Sequence, residues 1–216
     1  MSIRAVPVAL VALLSLSACT VAEPARPANP AHDRPVNIVV SGQSTEQLVL
    51  GQLYHEVLAV ADRQSSLDVR GNLDPAGQLQ LLRQHRADLT VSCTGTMLDQ
   101  LHPQRAGEIA GEVGEGEDPN AGDLSQLTYD EFLGALPGDL ITTDPSPTQA
   151  CGGEGELPQN IVPLFGRELF DRTELRALNE AARLLTDADL AEMIEQVKDS
   201  ERVSEVVGEW VASQPI

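Results

Sequence analysis

The stretch VNIVVSGQSTEQLVLGQLYHEVL, residues 36–58, followed by LDVR from Leu67 and by DLTVSCTGTM, residues 88–97, decides the fold. VNIVV is a short β-branched run ending in the polar turn Ser41, Gly42, Gln43, the pattern of a buried parallel strand. Ser44 and Gln47 have capping-box spacing, and Leu48, Leu50, Leu53, Tyr54, Val57 and Leu58 recur at helical intervals up to about residue 61. LDVR reads as a second strand, and Asp74 with Pro75 supplies an N-cap and first-turn proline for a helix carrying Leu79, Leu81 and Leu82. Residues 88–92 read as a third strand ending in Cys93, Thr94, Gly95 and Thr96. Alternation of strand and helix predicts an α/β fold, a parallel or mixed sheet flanked by helices. Such sheets bind ligands just beyond strand carboxyl ends. The candidate ligand-binding residues are therefore Ser41, Gln43 and Thr45 at the first turn, and Cys93, Thr94, Gly95 and Thr96 at the third.

SGQSTEQLVLGQL, residues 41–53, resembles the turn and helix S-K-x-F-T-E-Q-x-x-L-G-x-L of bacterial osmoprotectant-binding proteins, the glycine betaine, choline and carnitine binding subunits of ABC importers. RADLTVSCTGT, residues 86–96, resembles their third strand, G-x-x-D-x-Y-P-E-Y-T-G-T. The resemblance resumes at YDEFLGALPGDLITTDPSPTQ, residues 129–149, and at IVPLFGRELFDRTELRALNEAARLLTDADLAEMIEQV, residues 161–197. It implies a periplasmic-binding-protein type II-like fold whose first lobe is built from residues 36–142 and 161–216. In the family the D-P-A-P-like turn opens a second lobe. Here residues 143–160 form only a short loop around Cys151, so the chain is expected to be mainly one lobe. The implied ligand is a small quaternary-ammonium solute, and the implied partner is an ABC-transporter permease.

Working outward, residues 1–19 read as a secretion signal: Arg4, then an apolar stretch over 5–16 that is short for a bilayer span. Leu16, Ser17, Ala18 and Cys19 fit a lipobox, which makes Cys19 a lipidation site and predicts an extracytoplasmic protein lipid-anchored to the cell membrane. Residues 20–35, rich in Pro and Ala, read as a tether. The 14 basic and 33 acidic side chains give a net charge of −19, which argues against nucleic acid and against direct adsorption to anionic lipid. Cys93 and Cys151 remain. In an oxidising compartment such a pair more often forms a disulfide than a metal or redox site, and neither has C-x-x-C spacing.

Residues 98–102 are expected as a short helix, and residues 106–123, Gly-rich and acidic, as a mobile loop without a calcium-binding pattern. Thr128 and Glu131 have capping-box spacing ahead of Phe132, Leu133 and Leu136, and residues 139–142 read as a strand. After the strand Ile161, Val162, Pro163, Leu164, Phe165, helices are expected over 173–185, from the Thr186 and Asp189 cap to about 198, and over 203–211. The apolar stripe of Leu190, Met193, Ile194 and Val197 belongs to a core.

The residues expected to do chemistry depart from the family pattern. A quaternary ammonium is held by aromatic faces, about 1–2 kcal/mol per desolvated ring. Tyr54, Tyr129, Phe132, Phe165, Phe170 and Trp210 all fall in core patterns, and Cys93 stands at the position of the family's caging tyrosine. Ser92 replaces its glutamate, Gly42 its lysine and Ser44 its phenylalanine. Betaine binding is therefore expected to be weakened or lost, with a degenerate single-lobe envelope module as the alternative. His32, His55, His85 and His102 read as solvated, two of them, His55 and His85, on helices. None belongs to a nucleophile or metal motif, so no enzyme activity, cofactor or metal is expected.

Overall fold

A computed structural model describes residues 34–112, 122–151 and 157–216. The expected signal sequence, Cys19 and nearly all of the tether lie outside the described residues. The first described residue, Arg34, grips both carboxylate oxygens of Asp88 with its guanidinium fork at 2.8 and 2.6 Å. Asp88 also accepts the Asn37 backbone N–H, so the start of the first strand is fixed against the start of the third.

The elements follow in the order β1 (Val36–Ser41), α1 (Thr45–Val60), β2 (Ser65–Arg70), α2 (Pro75–Arg83), β3 (Leu89–Cys93) and α3 (Thr94–Leu101). Then come α4 (Pro103–Ala110), α5 (Gly122–Ala135), β4 (Leu140–Thr142), β5 (Ile161–Gly166), α6 (Arg172–Leu184), α7 (Asp187–Ser200) and α8 (Val203–Ser213). One five-stranded sheet runs β2-β1-β3-β5-β4. β1 pairs parallel with both β2 and β3, whereas β5 is antiparallel to β3 and to β4. The β4 ladder stops at Thr142 opposite Leu164, one residue short of Pro163, which has no N–H to give.

Period-two alternation divides the core. Ile38, Val40, Ile161 and Phe165 pack with α1, α6, α7 and α8 on one face. Val39, Val162 and Leu164 pack with α2, α3, α4 and α5 on the other. Local caps set the helix starts as the spacing required: Ser44 accepts from Gln47 N, and Asp74 from Gly77 N. Asp171 and Thr186 each close a complete capping box. A buried ion pair between Arg63 Nε and Glu174 Oε1, 3.6 Å apart, joins the end of α1 to α6.

Four expectations are corrected. Residues 106–112 are not loop: Pro103 opens α4, His102 Nδ1 accepts the Arg105 N–H at 3.2 Å, and Ala106 and Ile109 are buried. The loop reading missed this helix because its cap is a histidine rather than a small polar residue; residues 113–121 lie outside the described residues. Thr128 does not cap a helix but sits inside α5, buried, its hydroxyl without a hydrogen bond. The T-G-T segment is not a turn, since α3 begins at Thr94 directly from β3. His85 is not helical but lies past α2 with φ at 53°, and His55 is half-buried, with Nδ1 2.8 Å from Ser65 Oγ.

Candidate functional site at the β1–β3 crevice

The chain leaves β1 for β2 on one side and then crosses back to β3 on the other, so the helices that follow β1 and β2 lie on opposite faces. That reversal leaves a crevice past the carboxyl ends of β1 and β3, where an open α/β sheet takes its ligands. A cavity of about 340 Å³ occupies it. Ser41, Ser44, Glu46 and Gln47 form one wall; Gln78, Ser92 and Thr96 form the other, and Cys151 closes the rim.

Ser41 and Thr96, named from the sequence, line this cavity. Gln43 is exposed and outside it, its N–H turned to Ser41 Oγ at 3.4 Å, and Thr45 begins α1 without lining it. Cys93 is fully buried, its Sγ 2.01 Å from that of Cys151. The disulfide brings residue 151 over the crevice, where its N–H donates to Glu46 Oε1 at 2.8 Å.

Thr94 and Gly95 are also at the crevice edge but are covered by the chain itself. A helix start leaves unpaired N–H groups and a positive dipole end, a ready place for a carboxylate or another anion. In α3 those donors are taken: Thr94 N–H donates to Asn160 O and Gly95 N–H to Pro158 O, both at 3.0 Å. Thr96 donates both its N–H and its hydroxyl to Gln159 Oε1, at 3.0 and 2.9 Å. Thr94 Oγ1 donates to Pro158 O at 3.0 Å and accepts from Asn160 N at 3.2 Å. A Cβ at Gly95 would lie 2.7 Å from the Pro158 oxygen, so only glycine admits so close an approach. The covering strap is itself pinned: Gln159 N donates to Gln149 Oε1, Asn160 Nδ2 to Ser146 O, and Gln149 N to Asp187 Oδ1 of α7.

Sequence reasoning did not name Gln78, Gln47 or Gln159 as site residues. Gln78 had a signal: it lies three and four residues before Leu81 and Leu82, a polar side chain on an apolar stripe. It is 4% exposed, and its Nε2 donates to Val91 O at 2.8 Å. Gln159 had none, because only the fold brings it to α3.

Among the described residues no aromatic ring lines the cavity. Tyr54, Phe132, Phe165 and Phe170 are buried in the core, with Phe165 and Phe170 edge to face at 4.8 Å. Tyr129 donates to Thr143 O, and burial, with the Asp144 and Asp130 carboxylates, pushes its phenol up to about 12. Among the described residues no three His, Cys, Asp or Glu side chains could hold a metal ion together. No helix among them is long and apolar enough to cross a membrane.

Neither protein-family models nor curated protein sequences give a match to this chain. Solved structures do. Apo YehZ from Escherichia coli superposes with a TM-score of 0.59 at 11% identity, over 84% of this chain and 99% of that one. A glycine betaine/carnitine/choline ABC transporter superposes with a TM-score of 0.58 at 9% identity, over 82% and 97%. At these identities the likeness is one of fold: a periplasmic-binding-protein-like α/β architecture, here a single lobe with a mixed five-stranded sheet.

Proposed function

We propose that this chain is an extracytoplasmic solute-binding lipoprotein related to the glycine betaine/choline-binding subunits of ABC importers, with betaine binding weakened or lost. The fold is that of transporter binding proteins, and the crevice past β1 and β3 is where such a fold takes a solute. In this reading Cys19 carries the lipid anchor, residues 20–35 hold the domain off the membrane, and an ABC permease receives the solute. No catalytic role is assigned to any residue.

The observation that carries the loss of betaine binding is the strap. A betaine carboxylate arriving at α3 would find its donors already used by Pro158, Gln159 and Asn160. Its trimethylammonium group would need rings, and none lines the cavity among the described residues. Calorimetric titration of the full chain with glycine betaine, choline, carnitine and proline betaine is expected to give no micromolar binding. Micromolar affinity for any of them would sink the reading of lost betaine specificity.

A second reading is favoured by the length of the β4–β5 connection, residues 143–160, where the resembled family inserts a whole lobe. A one-lobed chain that captures no solute would serve instead as an accessory or protein-interaction module. A thermal-shift screen of small polar solutes separates the two, since a ligand at a hundred times its Kd adds about 2.7 kcal/mol of stability. No shift with any solute favours the module.

A further inference from the structure

The two edges of the sheet end differently. β4 is an edge of three residues whose ladder stops beside Pro163, whereas β2 is an edge of six, Ser65–Arg70. Val36 N–H donates to Gln64 O and Gly42 N–H to Arg70 O, so the backbone groups of Gln64, Ser66, Asp68 and Arg70 face β1. Those of Ser65, Leu67 and Val69 therefore point away from the sheet, and among the described residues they have no backbone partner. Val69 is also 50% exposed, one of three large apolar side chains so placed on the described surface. A row of free edge groups is a template for another strand.

We propose that the strand taken up by this edge is β2 of a second copy of the chain, antiparallel, with the two-fold axis through Val69. Charge selects both the occupant and the register. With the axis at Val69, each Val69 exchanges both N–H···O bonds with its own copy, and Asp68 stands opposite the partner's Arg70 on either side. These are non-hydrogen-bonded positions, where Cα atoms come to about 4.5 Å and side chains are closest. An axis through Asp68 would set two carboxylates against each other, which is destabilising. An axis through Leu67 would set Asp68 opposite Ser66 and Arg70 opposite Gln64, leaving neither charge paired across the interface.

In the single copy Arg70 and Asp68 hold each other at 2.7 Å, both half-buried, so pairing exchanges one partner for an equivalent one. An edge defended against pairing carries uncompensated charge. Here the two charges cancel, and the order Asp68, Val69, Arg70 is complementary to its own reverse. Leu67 lies on the α1 side, where a Cβ on Gly51 would come 2.8 Å from its Cδ1, so by alternation the two Val69 side chains meet on that side and the charges on the other. Leu67 then faces the partner's Gly71, and no atom within 4 Å would crowd a Cβ there. The net charge of −19 opposes association, but screening over about 8 Å at physiological ionic strength confines that repulsion to nearby groups. The contact is short, so the dimer is weak and concentration-dependent.

Sedimentation equilibrium of the full chain over a concentration series, at physiological ionic strength, is expected to show a reversible monomer–dimer equilibrium. Asp68→Arg and Arg70→Asp, each of which sets like charges opposite one another, should each weaken the dimer at least tenfold. The double variant Asp68→Arg/Arg70→Asp restores opposite pairs and should return the dissociation constant to within threefold of the native value. Val69→Pro removes one outward N–H, leaves the β1 ladder its donors, and should abolish the dimer. The charge variants keep the backbone unchanged, so the test stands even if Val69→Pro fails to fold. Hydrogen exchange supplies a second readout: the amides of Leu67 and Val69 should slow as concentration rises, while that of Asp68, already bonded to β1, should not. A chain that stays monomeric throughout overturns the inference, as does one whose β2 amides slow only when a different protein is added. A dimer indifferent to all four variants overturns it too, because the interface would lie elsewhere. Failure of the double variant to recover what the single ones lose overturns the register on which the choice of partner rests.

Discussion

Helices α1 and α3 both begin at the crevice, and their first turns are closed in opposite ways. At α1 the acceptor is local: Ser44 Oγ takes the Gln47 N–H from three residues away, and the wall beside it remains open to the cavity. At α3 the acceptors come from 63 to 66 residues along the chain, when the strap over residues 158–160 folds down onto Thr94, Gly95 and Thr96. Topology gives both helix starts the same opportunity to meet a ligand. Only the first is left with it. A helix terminus is thus a ligand site only when the chain has not already supplied its own acceptor, and this must be decided from tertiary structure.

Breaking the Cys93–Cys151 bond should disturb the comparison most. The bond joins the end of β3 to the segment ahead of the strap across a sequence separation of 58 residues. A loop of that size constrains the unfolded chain by about 4 kcal/mol in the chain-entropy treatment. Denaturant unfolding with and without a dithiol reductant, or of the Cys93→Ala/Cys151→Ala double variant, is expected to show a loss of that order. Two reactive thiols in the unreduced protein, beyond Cys19, would show that the bond does not form in solution.

Gln159→Ala tests the strap more gently. It removes the acceptor of both the Thr96 N–H and the Thr96 hydroxyl while leaving Pro158 and Asn160 in place. The expected loss is about 2 kcal/mol, from two hydrogen bonds of ordinary net strength. The freed donors lie at a positive helix end, so sulfate should recover part of the loss in the variant and have no comparable effect on the native chain. Equal sulfate effects in both proteins would mean that the strap does not close α3.

The same contrast explains what could be read from the sequence. β1, α1, β2, α2 and β3 were legible to within a residue or two, because β-branched runs and caps such as Ser44 and Asp74 act over a few positions. A crevice past β1 and β3 could be anticipated for a related reason: the alternation of strands and helices fixes which strand ends come together. α4 and the early start of α5 were missed, since a histidine cap and a glycine-rich approach carry no familiar signal. The placement of β5, antiparallel between β3 and β4, has no local trace at all. Nor could spacing show that Thr94 and Gly95 are covered or that Gln78 leaves an amide oxygen unpaired.

The smallest effect belongs to the local cap. Ser44→Ala removes the side-chain acceptor of Gln47 N–H at an extended N-cap residue, φ −124° and ψ 121°, and should cost about 1 kcal/mol. Ser44→Gly should cost only a few tenths, because a glycine N-cap leaves the backbone donors open to water. Ser44 is half-buried at the crevice rim, so water can replace its oxygen, whereas Thr94 is fully buried and has no such recourse. The stability order Ser44→Gly, Ser44→Ala, Gln159→Ala, measured by the same denaturant titration, therefore reports how much more α3 depends on the distant strap than α1 depends on its neighbour. A Ser44→Ala loss as large as that of Gln159→Ala would mean that the two helix starts are equally self-contained, and the open wall at α1 could no longer be set apart from the closed one at α3.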